Sequence, residues 1–213
     1  MSYIKDPNEI SKQSFKIIQD KINQIIPGYQ FNSQIEEKII KRAIHTTADF
    51  DYLKNLKFTH KVIEKIKNLL LSRGLIITDT TMVLAGINKN KLKDLGCHYQ
   101  CFIQSPEVYQ IAKKKKITRS MAAIEYASHI PGKKLFIIGN APTAVYKILE
   151  MKKQSQLFFE AVIGVPVGFV SASKSKKALY QSDIPAITAL GPKGGSNLAA
   201  ALINAIIYNI DLI

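Results

Sequence analysis

Hydrophobic positions recur at helical spacing through the first third of the chain and then give way to short apolar runs. Ile10, Phe15, Ile17, Ile18 and Ile22 follow the start signal Asp6-Pro7-Asn8, and Pro27-Gly28 closes the stretch, which predicts a first helix carrying Ser14. A second opens at Ser33-Gln34-Ile35-Glu36, the spacing of a capping box. Ile35, Ile39, Ile40 and Ala43 mark its apolar face, and His45 stands at its C-terminal end. A third is predicted from Thr59 through Val62, Ile66, Leu69 and Leu70 to Arg73, with Gly74 expected as a left-handed cap. From Leu75 the period changes. Residues 75–78, 99–103, 135–138, 161–164 and 186–190 are apolar runs that read as buried strands. Helical stretches lie between and after them, at residues 89–95, 105–115, 118–128, 141–152, 173–181 and 195–210. Such alternation predicts an α/β fold, a mainly parallel sheet covered on both faces, behind an N-terminal helical segment. No repeat, low-complexity tract or linker divides the chain, so residues 1–213 are expected to form one domain.

Composition adds limits. A chain of 213 residues buries roughly 70% of its unfolded surface, and needs no disulfide or metal staple. Two cysteines, Cys97 and Cys101, and charged residues throughout the first twenty positions point to a reducing cytoplasm. The alternation of a strand makes the two cysteines core positions. The most apolar stretch, residues 198–213, contains Asn204, Asn209 and Asp211, is short for a bilayer, and reads as a buried helix. No membrane partner is expected. The formal charge is +14, yet only Arg42, Arg73 and Arg119 are arginines among thirty basic residues. Lysine is the usual solvated cation, whereas base readout favours arginine forks. The run at residues 113–116 reads as a solvated helix end stabilised by the helix dipole.

Candidate chemistry concentrates in Ile44-His45-Thr46-Thr47-Ala48-Asp49-Phe50-Asp51-Tyr52, where one imidazole meets two hydroxyls and two carboxylates. His45 can carry a proton near neutral pH, and its neighbours can orient it. Ligands of parallel sheets gather at the carboxyl ends of the strands. Here those ends carry Asp79-Thr80-Thr81-Met82-Val83, Gly139-Asn140-Ala141-Pro142-Thr143-Ala144, Gly164-Val165-Pro166-Val167-Gly168-Phe169 and Gly191-Pro192-Lys193-Gly194-Gly195-Ser196-Asn197. The glycines of the last turn can aim backbone N–H groups at an anion. Thr80, Asn140, Lys193, Gly194, Gly195 and Ser196 are accordingly candidate substrate-binding residues. Neither a P-loop nor a dinucleotide fingerprint is present, and no nucleophile elbow appears. Cys97 and Cys101 lack a third ligand, and His60, His98 and His129 show no metal-ligand spacing, so no metal site is expected.

These motifs, in this order, resemble those of the precorrin-8X methylmutases, isomerases of corrin biosynthesis. The resemblance is carried by Lys12-Gln13-Ser14-Phe15, the His45 segment, Thr78-Asp79-Thr80 with Met82-Val83 and Ala85-Gly86-Ile87, Thr118-Arg119-Ser120 with Ala122, and the glycine turns. It implies a three-layer flavodoxin-like α/β/α enzyme, working as a homodimer, that moves a methyl group from ring carbon 11 to ring carbon 12 of a corrinoid. It further implies His45 as proton donor, Ser14 and Arg119 as substrate-binding residues, and no cofactor. Lys12 stands where arginine is common in the family, which weakens the match at Ser14. The implied partner, a polycarboxylate around a large apolar ring, suits a basic cleft with apolar walls; Tyr52 and Met82 are candidates equally for packing on the ring or for the core, and Phe169 is expected in the core. The apolar stretch 198–210 carries more hydrophobic surface than one sheet face covers, a second motive for a homodimer. Two other readings compete on composition alone. One is a basic nucleic-acid-binding α/β module; the other is a methyltransferase with a nucleotide-derived donor, disfavoured by the missing glycine fingerprint.

Overall fold

The computed structural model describes residues 3–213. Two helices lead the chain, α1 (Pro7–Ile25) and α2 (Gln34–Thr47). Asp6 caps α1 through Asn8 N–H, with Pro7 in its first turn, and Ser33 caps α2 through Glu36 N–H. A short helix α3 (Tyr52–Asn55) then feeds the strand β1 (Leu56–Phe58), which precedes α4 (Val62–Leu71). The rest alternates: β2 (Leu75–Thr78), α5 (Thr81–Gly86), α6 (Lys89–Asp94), β3 (His98–Gln100), α7 (Pro106–Lys115), α8 (Arg119–Ser128), β4 (Lys134–Ile138), α9 (Pro142–Lys153), β5 (Ala161–Gly164), α10 (Ala172–Tyr180), β6 (Ala186–Ala189) and α11 (Ser196–Tyr208).

The six strands form one sheet in the order β1-β6-β5-β4-β2-β3. β2 to β6 are parallel to their neighbours, and β1 closes one edge antiparallel to β6, Leu56 opposite Ala189. The strand order reverses between β2 and β4, the place where a doubly wound sheet opens a crevice at its carboxyl edge. Side chains alternate across the sheet. Ile76, Leu135, Ile137, Ala161 and Ile163 pack with α2, α4 and α11, whereas Ile77, Phe136, Ile138 and Val162 pack with α8, α9 and α10. Helices thus cover both faces, as the alternation predicts.

Several expectations are corrected by packing. The third helix starts at Val62 rather than Thr59, because His60 and Lys61 take left-handed conformations and the Thr59 hydroxyl is bound to β6, accepting from Ala186 N–H and donating to Ile184 C=O. That same register makes residues 56–58 a strand, too short and too mixed in polarity to show in the apolar pattern. The left-handed cap after α4 is Arg73, not Gly74. Gly74 is needed instead for space, since a Cβ there would sit 2.5 Å from Leu69 Cγ. Neither cysteine lies in a strand: β3 is His98–Gln100, Cys97 is buried just before it with its thiol donating to Leu70 C=O, and Cys101 is half-buried just after.

The largest correction concerns α11. This helix is apolar on nearly every side because it is sandwiched, with the sheet on one side and α2 and α5 on the others. Leu198, Leu202, Ile203 and Ile206 are fully buried within the protomer. Its apolar surface is therefore spent inside the chain and gives no motive for a dimer. The lysine run behaves as expected: Lys113, Lys114 and Lys115 form the last turn of α7, Lys116 caps it in a left-handed conformation, and Lys115 lies 2.5 Å from Glu125. No described helix is long and apolar enough to cross a membrane.

Candidate active site

The carboxyl edge of the sheet is knitted together at the point of strand reversal. Asp79, at the end of β2, is buried, and its carboxylate accepts from the backbone N–H groups of Gly139, Asn140 and Ala141 at 2.8–3.0 Å. Burial pushes its pKa up while those three donors pull it down, and burial prevails. Asp79 thus fixes the turn after β4 to the end of β2. Gly139 lets a third element join them, because a Cβ there would stand 2.8 Å from Ser196 Cα and from Val83 Cγ2. Thr80 caps α5 through Val83 N–H and lies 3.3 Å from the Ser196 hydroxyl at the first residue of α11.

The turn before α11 is held as tightly. Gly194 has φ 159°, and a Cβ on it would meet Val165 C=O at 2.2 Å, while Gly195 N–H donates to that same carbonyl at 2.8 Å. Lys193 reaches across to the His45 segment, its ammonium 2.5 Å from Asp49 and 2.7 Å from Asp51. Those carboxylates raise the Lys193 pKa. Beneath the turn, the fully buried Lys176 of α10 donates to Lys193 C=O.

His45 ends α2 on an exposed face. Phe15 of α1 stacks on its imidazole with ring centroids 5.3 Å apart and an interplanar angle of 18°. Burial by that ring and its surroundings, and then the charge of Arg42 one turn earlier, hold the imidazole below its ordinary pKa of 6.5. Helix α2 ends because Ala48 turns left-handed; Thr47 donates to Ala43 C=O and accepts from Asp49 N–H, so the chain doubles back toward Lys193.

A cavity of about 520 Å³ opens between the end of α2, α5 and the start of α11, lined among others by Arg42, Thr46, Met82, Ser196, Asn197 and Tyr208. Helix α11 begins there without a side-chain cap, leaving the N–H groups of its first turn for an anion. A smaller cavity of about 300 Å³ adjoins it, lined by Phe15, Glu37, Lys41, Arg42 and Tyr208 among others.

The candidate residues divide against this geometry. Ser196 lines the larger cavity itself, and Thr80 lies directly against Ser196. His45 is flanked by lining residues, Thr46 next to it and Phe15 stacked on it. Ser14 donates its hydroxyl to Ile10 C=O of its own helix, so Phe15, its neighbour, is the α1 side chain that meets His45. Arg119 is exposed at the start of α8, its guanidinium over the Tyr109 ring at 5.2 Å, and Thr118 beside it lies 3.1 Å from Thr143 of the β4 turn. It stands at the same sheet edge but outside both cavities. Asn140 gives its backbone to Asp79 and keeps an exposed side chain. Tyr52 is core, 2% exposed, whereas Phe169 is 98% exposed at the tip of the turn after β5. The expectation for Phe169 is thereby reversed, and of the two readings of Tyr52 the core is the one observed; Phe169 and Val170 lie exposed between Gly168 at φ 139° and Ser171 at φ 64°. Met82 lines the cavity rather than joining the core.

Arg42, Asn197 and Tyr208 were not singled out by spacing. The signal for Arg42 was present, since it precedes His45 by three residues and so shares its helix face. Tyr208 is twelve residues beyond Ser196 on α11, and only the packing of α11 against α2 brings it to the same hollow.

The model of the precorrin-8X methylmutase family matches residues 9–209 of the chain. The chain belongs to that family. Its members are isomerases that shift a methyl group within one molecule. Among curated precorrin-8X methylmutase relatives, the cobalt-precorrin-8 methylmutase of Salmonella typhimurium is 48% identical over 99% of both chains. That of Methanocaldococcus jannaschii is 38% identical over 95% of this chain and 94% of its own. The precorrin-8X methylmutase of Pseudomonas aeruginosa is 31% identical over 97% of each. A crystal structure of the precorrin-8X methylmutase from Thermus thermophilus superposes with a TM-score of 0.83, at 31% identity, covering 95% of this chain and 96% of that one. The four strand-end turns and the His45 segment are joined to one another at the carboxyl edge of the sheet, through Asp79 to residues 139–141, Thr80 to Ser196, Gly195 N–H to Val165 C=O and Lys193 to Asp49.

Proposed function

We propose that this chain moves a methyl group from ring carbon 11 to ring carbon 12 of precorrin-8X or its cobalt-containing form, the two substrates that its relatives' names carry. The observation that carries the reading is the meeting of Arg42 and the uncapped start of α11 around hollows at the carboxyl edge of the sheet, with His45 held beside their lining residues Thr46 and Phe15. His45 donates a proton to the conjugated ring system, which withdraws electron density from the migrating centre and lowers the barrier to a 1,5-shift. The proton returns to the imidazole when the product relaxes, so the isomerisation balances without a co-reactant. Cationic and N–H groups receive peripheral carboxylates, while Met82, Ala200 and Ala201 offer the ring an apolar wall.

The active unit in this reading is a homodimer in the cytoplasm, each chain one domain. With α11 consumed internally, support for the dimer comes from the apolar tip Val167, Phe169 and Val170, whose exposure is 46%, 98% and 85%.

The test is turnover itself. Purified protein incubated with the authentic substrate should convert its absorption spectrum to that of the rearranged conjugated ring, in proportion to enzyme. An unchanged spectrum with authentic substrate, under conditions where a curated relative reacts, would overturn the reading.

A further inference from the structure

Tyr208 closes α11 and lines both cavities, and at 54% exposure its ring is open to a ligand. Its phenol oxygen accepts from the side-chain amide of Asn88, and among the described residues the phenol makes no other hydrogen bond. The far end of that amide fixes the direction of the bond. Asn88 caps α6, its side-chain oxygen accepting from Lys91 N–H at 3.0 Å, so the NH2 end is the one that faces Tyr208. An amide NH2 only donates, and the phenolic proton is therefore left without a protein acceptor. Asn88 itself lines neither cavity and approaches the phenol from behind their wall.

Asn88 is held in its turn. Its backbone N–H donates to Asn204 Oδ1 at 2.9 Å, and Asn204 Nδ2 donates to Gly86 C=O at 2.8 Å, so one side chain of α11 grips residues 86–88 at two points. Gly86 allows the close approach, since a Cβ there would stand 2.8 Å from Ala200 Cβ. We propose that Tyr208 donates its phenolic proton to a peripheral carboxylate of the substrate, and that Asn88 is the positioning residue that keeps this proton available to the hollow. The inference rests on the methylmutase reading and deepens it by naming a neutral donor at the far end of α11 from its uncapped start. A free hydroxyl turns among many partners; one whose oxygen already accepts a fixed N–H has fewer directions for its hydrogen and loses less freedom on binding.

Tyr208→Phe and Asn88→Asp test this, with the product corrinoid polycarboxylate as probe in an absorbance titration. Tyr208→Phe keeps the ring and should weaken binding about 10-fold, raising KM in parallel and leaving kcat nearly unchanged, as expected for a contact remote from the migrating methyl group. Asn88→Asp keeps an acceptor for Lys91 N–H but presents a second acceptor to the phenol, which then donates inward and is lost to the substrate. It should reproduce the loss of Tyr208→Phe although the hydroxyl is present, and should add little in the Tyr208→Phe background. Asn88→Ser caps α6 but is too short to reach the phenol; it leaves the proton to the substrate and should lose less than Asn88→Asp. Unchanged affinity and KM in a folded Tyr208→Phe would overturn the donor, and a fall in kcat with KM unchanged would overturn its placement at the periphery. An Asn88→Asp that binds as wild type does, that loses equally with and without the hydroxyl at 208, or that matches Asn88→Ser would overturn the role of Asn88. Failure of the methylmutase reading shows separately, as absent turnover by the wild-type protein.

Discussion

Lys193 and Asp49 meet at 2.5 Å across the mouth of the site, with Asp51 at 2.7 Å on the same ammonium. The pair joins the glycine turn before α11 to the segment that follows His45, two stretches 144 residues apart in sequence. Lys193 is therefore a clamp between two halves of the site rather than a free cation awaiting substrate. If so, Lys193→Met and Asp49→Asn should each lower kcat/KM by roughly 10–100-fold through misplacement of the reacting geometry. The double variant should be little worse than Lys193→Met alone, because Lys193→Met already removes the Asp49 contact together with that to Asp51. A cycle of kcat/KM values decides it: a direct anchoring role for Lys193 predicts instead that replacing both Asp49 and Asp51 by Asn frees the ammonium and tightens substrate binding.

His45→Ala separates catalysis from packing. Loss of a general acid should lower turnover about 10²–10⁴-fold while product binding largely persists, because the group acts in the transition state. The structural cost should be small, about 1 kcal/mol or less, since the imidazole is exposed and gives up only its stack on Phe15. Spectral assay of methyl migration and urea unfolding on the same preparation measure both. Normal turnover by the folded variant would remove His45 from the mechanism.

The pH profile carries the same argument with a definite sign. A proton donor works in its protonated form, and burial with the Arg42 charge lowers the His45 pKa below 6.5 in the free protein. Hence kcat/KM, which reports the free enzyme, should fall with rising pH from a midpoint on the acid side of 6.5. The kcat profile, reporting the complex, should fall at higher pH if a substrate carboxylate offsets Arg42. Coincident midpoints would leave no such offset. For stability the sign is opposite. The unfolded chain binds the proton more readily, so this residue's contribution is present above 6.5 and is lost as pH falls through the lowered folded value.

Gly194→Ala should be severe where most glycine substitutions are mild. The backbone stands at φ 159°, near the border of the left-handed region, but the decisive fact is a Cβ placed 2.2 Å from the Val165 carbonyl oxygen. That atom is backbone in a buried turn and cannot rotate away, so the turn must shift and carry Gly195 N–H off the same carbonyl. A loss of roughly 2–4 kcal/mol is expected by urea unfolding. Gly132→Ala is the control: its φ is 97° but its Cβ would meet nothing within 4 Å, so strain acts alone and the loss should be nearer 1 kcal/mol.

The sequence was most legible where a single period governs a long stretch. α1 and α2, with caps at Asp6 and Ser33, and the five parallel strands follow from local spacing. What escaped was set by tertiary contact. β1 exists because Leu56–Phe58 finds β6, and α11 looked over-apolar because its second cover, α2, is distant in sequence. The turns of the site were visible as glycine clusters, and His45 as a lone chemical feature. The partnership of Lys193 with Asp49 and the joint lining of one hollow by Arg42 and Tyr208 were not, since no local rule relates residues that far apart.

Lys176 offers a test of how that turn is supported. Its side chain is fully buried on α10, and its ammonium donates to Lys193 C=O directly beneath the clamp. Burial lowers its pKa from 10.5 to about 8. Between those values the unfolded chain binds a proton that the folded chain has released, so stability rises as pH rises from about 8 toward 10.5. Below about 8 the amine is charged in both states and the cost of burying that charge is fully present. The whole shift is worth at most about 3 kcal/mol, and screening from the nearby exposed turn reduces the expected gain to about 2 kcal/mol. Lys176→Met keeps length and apolar contact but cannot titrate. The stability of wild type relative to Lys176→Met should therefore climb between pH 8 and 10 and be level from pH 6 to 7.5, with the other titrating groups cancelling in the difference. Urea unfolding across that range reads it directly. A difference that stays constant to pH 10 would show that Lys176 keeps its proton with water at hand, and the glycine turn would then rest on its own backbone hydrogen bonds.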